Sequence, residues 1–289
     1  MNDKVFGGST MRGKICLITG GNSGIGRETA LGLARFGATV VIVARDASKG
    51  QAAVSEIRQK SGNQNVNLIV ADLSSMNSVR SLAESFLRDY PRLDVLINNA
   101  GTYLPKRIST ADGYEAVFAT NHLGHFLLTN LLLDRIKASA PARIINVTSD
   151  AHRGAEIDFE DLMQEKKYSA FKAYHQSKLA NVLFTYELAR HLQGTGVTVN
   201  CLHPGVVRTG FGKDMGGMFS ISVKLAGPLM MGPEKAARAL VYLASSPDLD
   251  GVTAKHFAKG EEKPSSKESY DGNAAERLWK VSEELTQLR

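Results

Sequence analysis

Tyr174 and Lys178 stand four residues apart. On a helix that spacing sets one side chain above the other, so the Lys178 ammonium can approach the Tyr174 hydroxyl. A phenol with a reference pKa near 10 is a poor proton carrier at neutral pH, and a neighbouring cation lowers that value. A shift of about three units requires roughly 4 kcal/mol, more than one positive charge supplies. Lys178 offers one charge, and a second must come from outside the pair. The spacing is not unique, because Tyr168 and Lys172 repeat it six residues earlier. On one helix that offset is about 1.7 turns, so the two pairs would face nearly opposite ways. Tyr174 lies closer to the apolar run Leu179, Val182, Leu183 and Tyr186, which favours it as the inward member.

A glycine-rich stretch lies far upstream. Ile15–Thr19 reads as a short buried strand and runs into Gly20, Gly21, Asn22, Ser23, Gly24, Ile25 and Gly26, where a helical pattern begins. Glycines at 20, 24 and 26 permit a tight turn and close approach of backbone to a pyrophosphate. The following helix N-terminus presents free N–H groups to that anion. The second strand ends Val43-Ala44-Arg45-Asp46, with no carboxylate at position 44 to hold a ribose 2′-hydroxyl. Arg45 can grip a 2′-phosphate, and Asp46 can cap the next helix, so NADP(H) is the expected cofactor.

Other strand ends fall on the same crevice. Asp72-Leu73 closes the third strand, where a carboxylate meets an adenine amino group. Asn98, Asn99, Ala100 and Gly101 close the fourth. Pro204-Gly205 closes the sixth, and Val206, Val207 and Thr209 follow within reach of a nicotinamide carboxamide.

Short β-branched runs alternate with helical patterns along the chain. The runs are Ile15–Thr19, Thr39–Val43, Val66–Val70, Val95–Asn98, Arg143–Thr148 and Val197–Leu202, with a seventh near Val252–Phe257. Helical patterns cover Gly24–Phe36, Lys49–Lys60, Ser75–Tyr90, Asn121–Lys137, Tyr168–Leu192 and Pro233–Ala244. That alternation predicts βαβ units in a doubly wound parallel α/β sheet, within one domain spanning 1–289. Residues 210–232 are rich in Gly and Met and read as an apolar flap over a substrate pocket. Gly260–Asn273 is polar and reads as a solvated loop before a last helix.

The chain has 289 residues, 43% hydrophobic and 22% charged, which is ordinary for a globular protein. The net charge of +6 is scattered without a dense run, so nucleic acid is not an expected partner. Cys16 and Cys201 fall in apolar strands and read as buried thiols, which suits the cytoplasm. The N-terminus reads as no signal peptide, and no apolar run is long enough to span a membrane. His122, His125, His152 and His175 show no metal-ligand spacing with Cys or carboxylates.

Taken together, TGGNSGIG, NNAG, Asn121, Ser149, YHQSK and PG occur in the order of a known family. The chain resembles the short-chain dehydrogenases/reductases from about Lys14 to Phe257. Asn121-His122-Leu123-Gly124-His125-Phe126 resembles the retinol dehydrogenase-like group within it. The resemblance implies a Rossmann-type sheet of about seven strands in the order 3-2-1-4-5-6-7, with helices on both faces. It implies catalytic roles for Asn121, Ser149, Tyr174 and Lys178. Tyr174 would protonate a carbonyl oxygen as hydride arrives, and Ser149 would orient that oxygen. Lys178 would lower the Tyr174 pKa and bind the nicotinamide ribose, and Asn121 would hold a relay water.

The implied activity is NADP(H)-dependent interconversion of a small apolar aldehyde or ketone and its alcohol. The alternative is a catalytically silent NADP-binding sensor or interaction protein. Homodimer and homotetramer are both left open, through the helices holding Asn121 and Tyr174. Membrane-bound relatives carry a hydrophobic anchor that is not seen here, so a retinoid substrate is not carried over. Ser149 precedes Tyr174 by 25 residues, and the extra segment, His152–Lys167, is expected to loop out beside the active-site mouth.

Overall fold

The computed structural model describes residues 10–207 and 231–288. Eight strands form one sheet in the order β3-β2-β1-β4-β5-β6-β7-β8. They are β1 (Ile15–Thr19), β2 (Thr39–Ala44), β3 (Val66–Val70), β4 (Val95–Asn98), β5 (Ala142–Val147), β6 (Val197–His203), β7 (Lys255–Ala258) and β8 (Glu261–Glu262). The first seven are parallel, in the expected order. The eighth was not expected. Its antiparallel pairing with β7 follows from a two-residue turn, Lys259-Gly260, with φ of 55° and 92°. Such turns match the twist of the strands they join, but Lys-Gly is a weak signal beside Asn-Gly.

Strands covered on both faces read as continuous apolar runs. Alternate residues serve opposite cores. Leu17, Val41 and Val43 join one cluster, while Cys16, Ile18, Val40 and Ile42 join the other. On the second side lie α1 (Gly24–Arg35) and α2 (Ala47–Ser61). On the first lie α3 (Met76–Asp89), α4 (Gly124–Leu131), α5 (Leu133–Ala138) and α6 (Ala170–His191). α7 (Pro233–Ser245) joins α1 and α2, and α8 (Gly272–Thr286) joins the first side.

The helical stretch predicted for Asn121–Lys137 is not one regular helix. A short turn at Ala116–Phe118 leads into a π-type turn at Ala119–Leu123, and only then does α4 begin. Asn121 sits inside the widened turn. A ladder of buried amides and hydroxyls ties these helices to the sheet. Asn98 Nδ2 donates to Asn146 Oδ1 at 2.8 Å and to Thr129 Oγ1 at 2.9 Å. Asn146 Nδ2 donates to Thr185 Oγ1 on α6 at 2.9 Å. These amides and hydroxyls are thus paired with each other, with Asn98 Oδ1 left without a partner.

Two loop expectations need correcting. The segment 152–167 does not loop outward: His152, Ala155 and Gln164 are buried, and Ile157, Phe159, Leu162 and Met163 pack on the core. Its polar backbone is met by side chains, as where Gln176 Nε2 donates to the Leu162 carbonyl at 2.9 Å. Nor is 260–273 uniformly solvated. Ser265, Ser266 and Ser269 are buried, with the Ser265 hydroxyl 2.6 Å from that of Ser269 and 2.7 Å from that of Tyr186. α8 then lays Trp279 against Phe126 and Phe184. Part of the α4 and α6 surface is therefore covered within the chain. No helix among the described residues is long and apolar enough to cross a membrane.

Candidate active site

The C-terminal ends of the strands open onto one cleft of about 690 Å³. Gly20, Asn22, Ser23, Gly24, Ile25 and Gly26 line one end of it. A Cβ at position 26 would stand 2.3 Å from the Gly20 carbonyl oxygen, so only glycine lets α1 begin this close to β1. The Ser23 side chain makes no capping hydrogen bond, and the first turn of α1 carries no acidic residue. An anion can therefore meet the positive end of α1 directly.

Arg45 lines the same cleft from the end of β2 and is exposed. Asp46, the awkward neighbour, caps α2 by accepting from the Lys49 N–H at 3.0 Å, and the Lys49 ammonium lies 3.7 Å away. Lys49 also lines the cleft, a second cation that the strand-end reading missed. Asp72 and Leu73 line it too, although Asp72 Oδ1 already accepts from the Ser74 N–H and hydroxyl at 2.9 and 2.8 Å. Asn99, Ala100, Gly101, Pro204, Gly205 and Val207 complete the expected lining. Val206 is 65% exposed and is not part of it. Thr209 and nearly all of the 210–232 flap lie outside the described residues. At the margins of that segment, the Met231 N–H donates to the Val206 carbonyl at 3.0 Å.

The turn after β4 is held by an inner network. Thr19 Oγ1 accepts from the N–H groups of Asn99 at 2.9 Å and Ala100 at 3.0 Å. It also lies 2.9 Å from His125 Nε2, while His125 Nδ1 lies 3.0 Å from the Asn121 carbonyl oxygen. A carbonyl only accepts, so Nδ1 carries the proton and Thr19 donates to Nε2. Burial holds His125 down at about 4, so this neutral form persists at ordinary pH.

Ser149, Tyr174 and Lys178 line the same cleft. The Ser149 and Tyr174 side chains are hydrogen-bonded to each other. Burial pushes the Tyr174 phenol up to about 12, only partly offset by that bond. Burial likewise brings the Lys178 ammonium down to about 8. The expected lowering of the Tyr174 pKa by Lys178 is thus not met by the protein's own groups, and the phenol stays protonated at neutral pH. Lys178 Nζ donates to the Val147 carbonyl at 3.3 Å.

Asn121 is near this group but does not line the cleft. Its Oδ1 accepts from the Thr102 N–H at 2.7 Å, and its Nδ2 donates to Ser177 Oγ at 2.9 Å and the Thr102 carbonyl at 3.0 Å. The side chain therefore clamps the 101–102 backbone to α6. The competing pair is disposed of by geometry. Tyr168 precedes α6, which starts at Ala170, and its hydroxyl donates to the Leu104 carbonyl at 2.8 Å. Lys172 Nζ instead pairs with Asp158 at 2.7 Å.

Two further lining residues had no motif to announce them. Tyr103 meets the Tyr174 ring edge-on at 5.7 Å between centroids. His203, at the end of β6, pairs through Nε2 with Asp150 at 3.0 Å. Both thiols are buried and unpaired. His122 is hydrogen-bonded to Ser282 and His175 lies against Phe171, and neither lines the cleft.

The chain is similar to known proteins. Residues 14–217 match the family described as short chain dehydrogenase. Human retinol dehydrogenase 13 is 47% identical over 299 residues, an alignment covering 100% of this chain and 90% of that protein. Among solved structures, an uncharacterized protein from Mycobacterium paratuberculosis superposes with a TM-score of 0.78 at 36% identity, covering 96% of this chain and 95% of that one. The Pseudomonas aeruginosa RhlG/NADP active-site complex superposes with a TM-score of 0.70 at 29% identity, covering 92% and 98% respectively.

Proposed function

Since the chain belongs to the short-chain dehydrogenase family, we propose that it is an NADP(H)-dependent oxidoreductase. It reduces an apolar aldehyde or ketone to the alcohol, or runs the reverse, with Tyr174 as general acid/base. The observation that carries this reading is the hydrogen-bonded Ser149–Tyr174 pair, in the same cleft as the Gly20–Gly26 turn and Arg45.

A bound nicotinamide supplies or takes the hydride. The residues of the chain do the rest. The Ser149 hydroxyl orients the carbonyl oxygen, and Tyr174, kept protonated by burial, donates the proton to it. Lys178 spends one hydrogen bond on Val147 and turns its remaining donors to the ribose. Asn121 keeps Gly101–Thr102 and α6 in register beside them. The bare N-terminus of α1 receives the pyrophosphate, and Arg45 with Lys49 answers a 2′-phosphate. The likeness to a retinol dehydrogenase supports an apolar alcohol or carbonyl substrate.

The test is NADPH consumption across a panel of aldehydes and ketones, with NADH as control and a Tyr174→Phe variant. Loss of turnover in that variant is expected. NADPH binding without consumption on any carbonyl would favour a silent sensor, and full turnover by Tyr174→Phe would sink the mechanism.

A further inference from the structure

Ser149 is followed by one turn of 3-10 helix, Asp150–His152, which ends on a fully buried histidine that the proposed reaction does not use. His152 Nδ1 lies 2.6 Å from the Ser149 carbonyl oxygen. That oxygen only accepts, so Nδ1 carries the proton. On the other side, the Ser266 N–H lies 3.0 Å from Nε2 and only donates, so Nε2 is bare. Both neighbours select one neutral tautomer. A second ring proton would point at the Ser266 N–H.

We propose that His152 is a positioning residue for Ser149, fixing its backbone to the buried Ser265–Ser269 segment so that its hydroxyl stays against Tyr174.

The connection closes on itself. Ser265 Oγ lies 2.7 Å from the Tyr186 hydroxyl, and Tyr186 belongs to α6, the helix that carries Tyr174 and Lys178. Ser269 Oγ donates to the Ser266 carbonyl at 2.6 Å, which keeps the Ser266 N–H aimed at the ring. Ser149 and Tyr174 are therefore held from one frame, through His152, Ser266, Ser265 and Tyr186. Besides its bond to Tyr174, the Ser149 side chain accepts a long 3.3 Å bond from the Ala151 N–H, and the Ser149 carbonyl also accepts from the His152 backbone N–H at 3.0 Å, so the ring adds the link that reaches beyond this turn.

The charged and titratable groups facing the ring come from four elements. They are Asp150 and Arg153 on its own turn, His203 on β6, His256 on β7 with ring centroids 5.0 Å apart, and Glu268 in the C-terminal segment. Burial, with Arg153 and His203, holds the His152 pKa below the ordinary histidine value against the Ser149 carbonyl and Asp150.

Two variants separate the two bonds. His152→Asn keeps an N–H donor near the Nδ1 position. His152→Gln offers Ser266 an acceptor near Nε2 but gives Ser149 no donor. With NADPH and nonanal as the probe aldehyde, His152→Gln should lose about tenfold in kcat with the KM for NADPH unchanged, whereas His152→Asn should recover most of it. In a Ser149→Ala background the His152→Gln effect should vanish, because both act through one group. A loss of the same size in both backgrounds overturns the inference.

The kinetic arm rests on the proposed function, so a second arm avoids activity. Amide hydrogen exchange on the full chain should speed up about tenfold across 149–153 in His152→Gln while α1 is unchanged. If native protein does not reduce nonanal, the choice of substrate is at fault and the exchange result decides. Unchanged exchange at 149–153 overturns the positioning role.

Discussion

The Lys178 ammonium stands 5.6 Å from the centre of the Tyr174 ring, yet its hydrogen bond goes to the Val147 carbonyl on β5. The four-residue step thus brings the two groups together without making them a bonded pair. Each is displaced by burial in the direction that disfavours its charge, the phenol to about 12 and the ammonium to about 8.

A buried cation with one hydrogen bond is retained at a cost to stability. Lys178 is 3% exposed, and its folded pKa lies below the unfolded one, so its charged form weakens the fold at neutral pH. Lys178→Met should abolish turnover while raising stability by about 1–3 kcal/mol in urea unfolding. A less stable variant would show that the ammonium supports the fold after all.

Protonation of Tyr174 sets the pH dependence of each direction. With its pKa near 12, the phenol is ready to donate throughout the neutral range, so carbonyl reduction should be fast at pH 6–7. Alcohol oxidation needs the phenolate and should keep rising with pH across the alkaline range in which the protein stays folded. Initial rates in both directions on one carbonyl–alcohol couple check this. A reduction rate that climbs steadily between pH 6 and 9 is the opposite outcome.

Tyr168 and Lys172 offer a control. The Tyr168 hydroxyl is bonded to the Leu104 carbonyl and Lys172 to Asp158. Tyr168→Phe should cost about 1 kcal/mol of stability and leave kcat within about twofold. Lys172→Met should do less, since its ion pair is largely exposed. If Tyr168→Phe is inactive while correctly folded, the assignment of Tyr174 is wrong.

Arg45 and Lys49 should decide between cofactors. Arg45→Ser should raise the KM for NADPH about tenfold and hardly affect NADH, because only a 2′-phosphate engages the guanidinium. Equal effects on both cofactors would remove the case for NADP(H).

Acid should loosen the fold through its buried imidazoles. His125 is held at about 4 and His122 at about 3, both below the unfolded value near 6.5. The unfolded chain takes up those protons first, so their contribution is complete above pH 6.5 and lost as pH falls towards 4. Each histidine adds about 1.4 kcal/mol of loss per pH unit in that window. Tm measured from pH 7 to 4.5 should fall steeply, and His125→Gln should flatten the slope. A flat native profile between pH 6.5 and 5 would contradict the buried neutral rings.

Local patterns carried much of this protein into view. Apolar runs bounded by turn residues located seven strands to within a few residues, because a strand buried on both faces needs apolar side chains at every position. Gly20, Gly24 and Gly26 marked the first crossover, and at Gly26 a Cβ would meet the Gly20 carbonyl oxygen, so that position admits only glycine.

What the sequence left undecided depended on partners distant in the chain. Two Tyr-x-x-x-Lys steps are equal in spacing. They were separated by Leu104 and Asp158, which claim Tyr168 and Lys172, and by Ser149, which meets Tyr174. Asn121 carries the expected residue type, but the π-type turn directs its amide to Thr102 and Ser177. The serines near 266 read as solvated because serine is polar. Their burial follows from His152 and Tyr186, which lie 114 and 79 residues from their bonded partners and reach them only when β6, β7 and α6 have packed. Periodicity is a property of neighbours along the chain, whereas the satisfaction of a buried polar group is a property of whatever the fold brings against it.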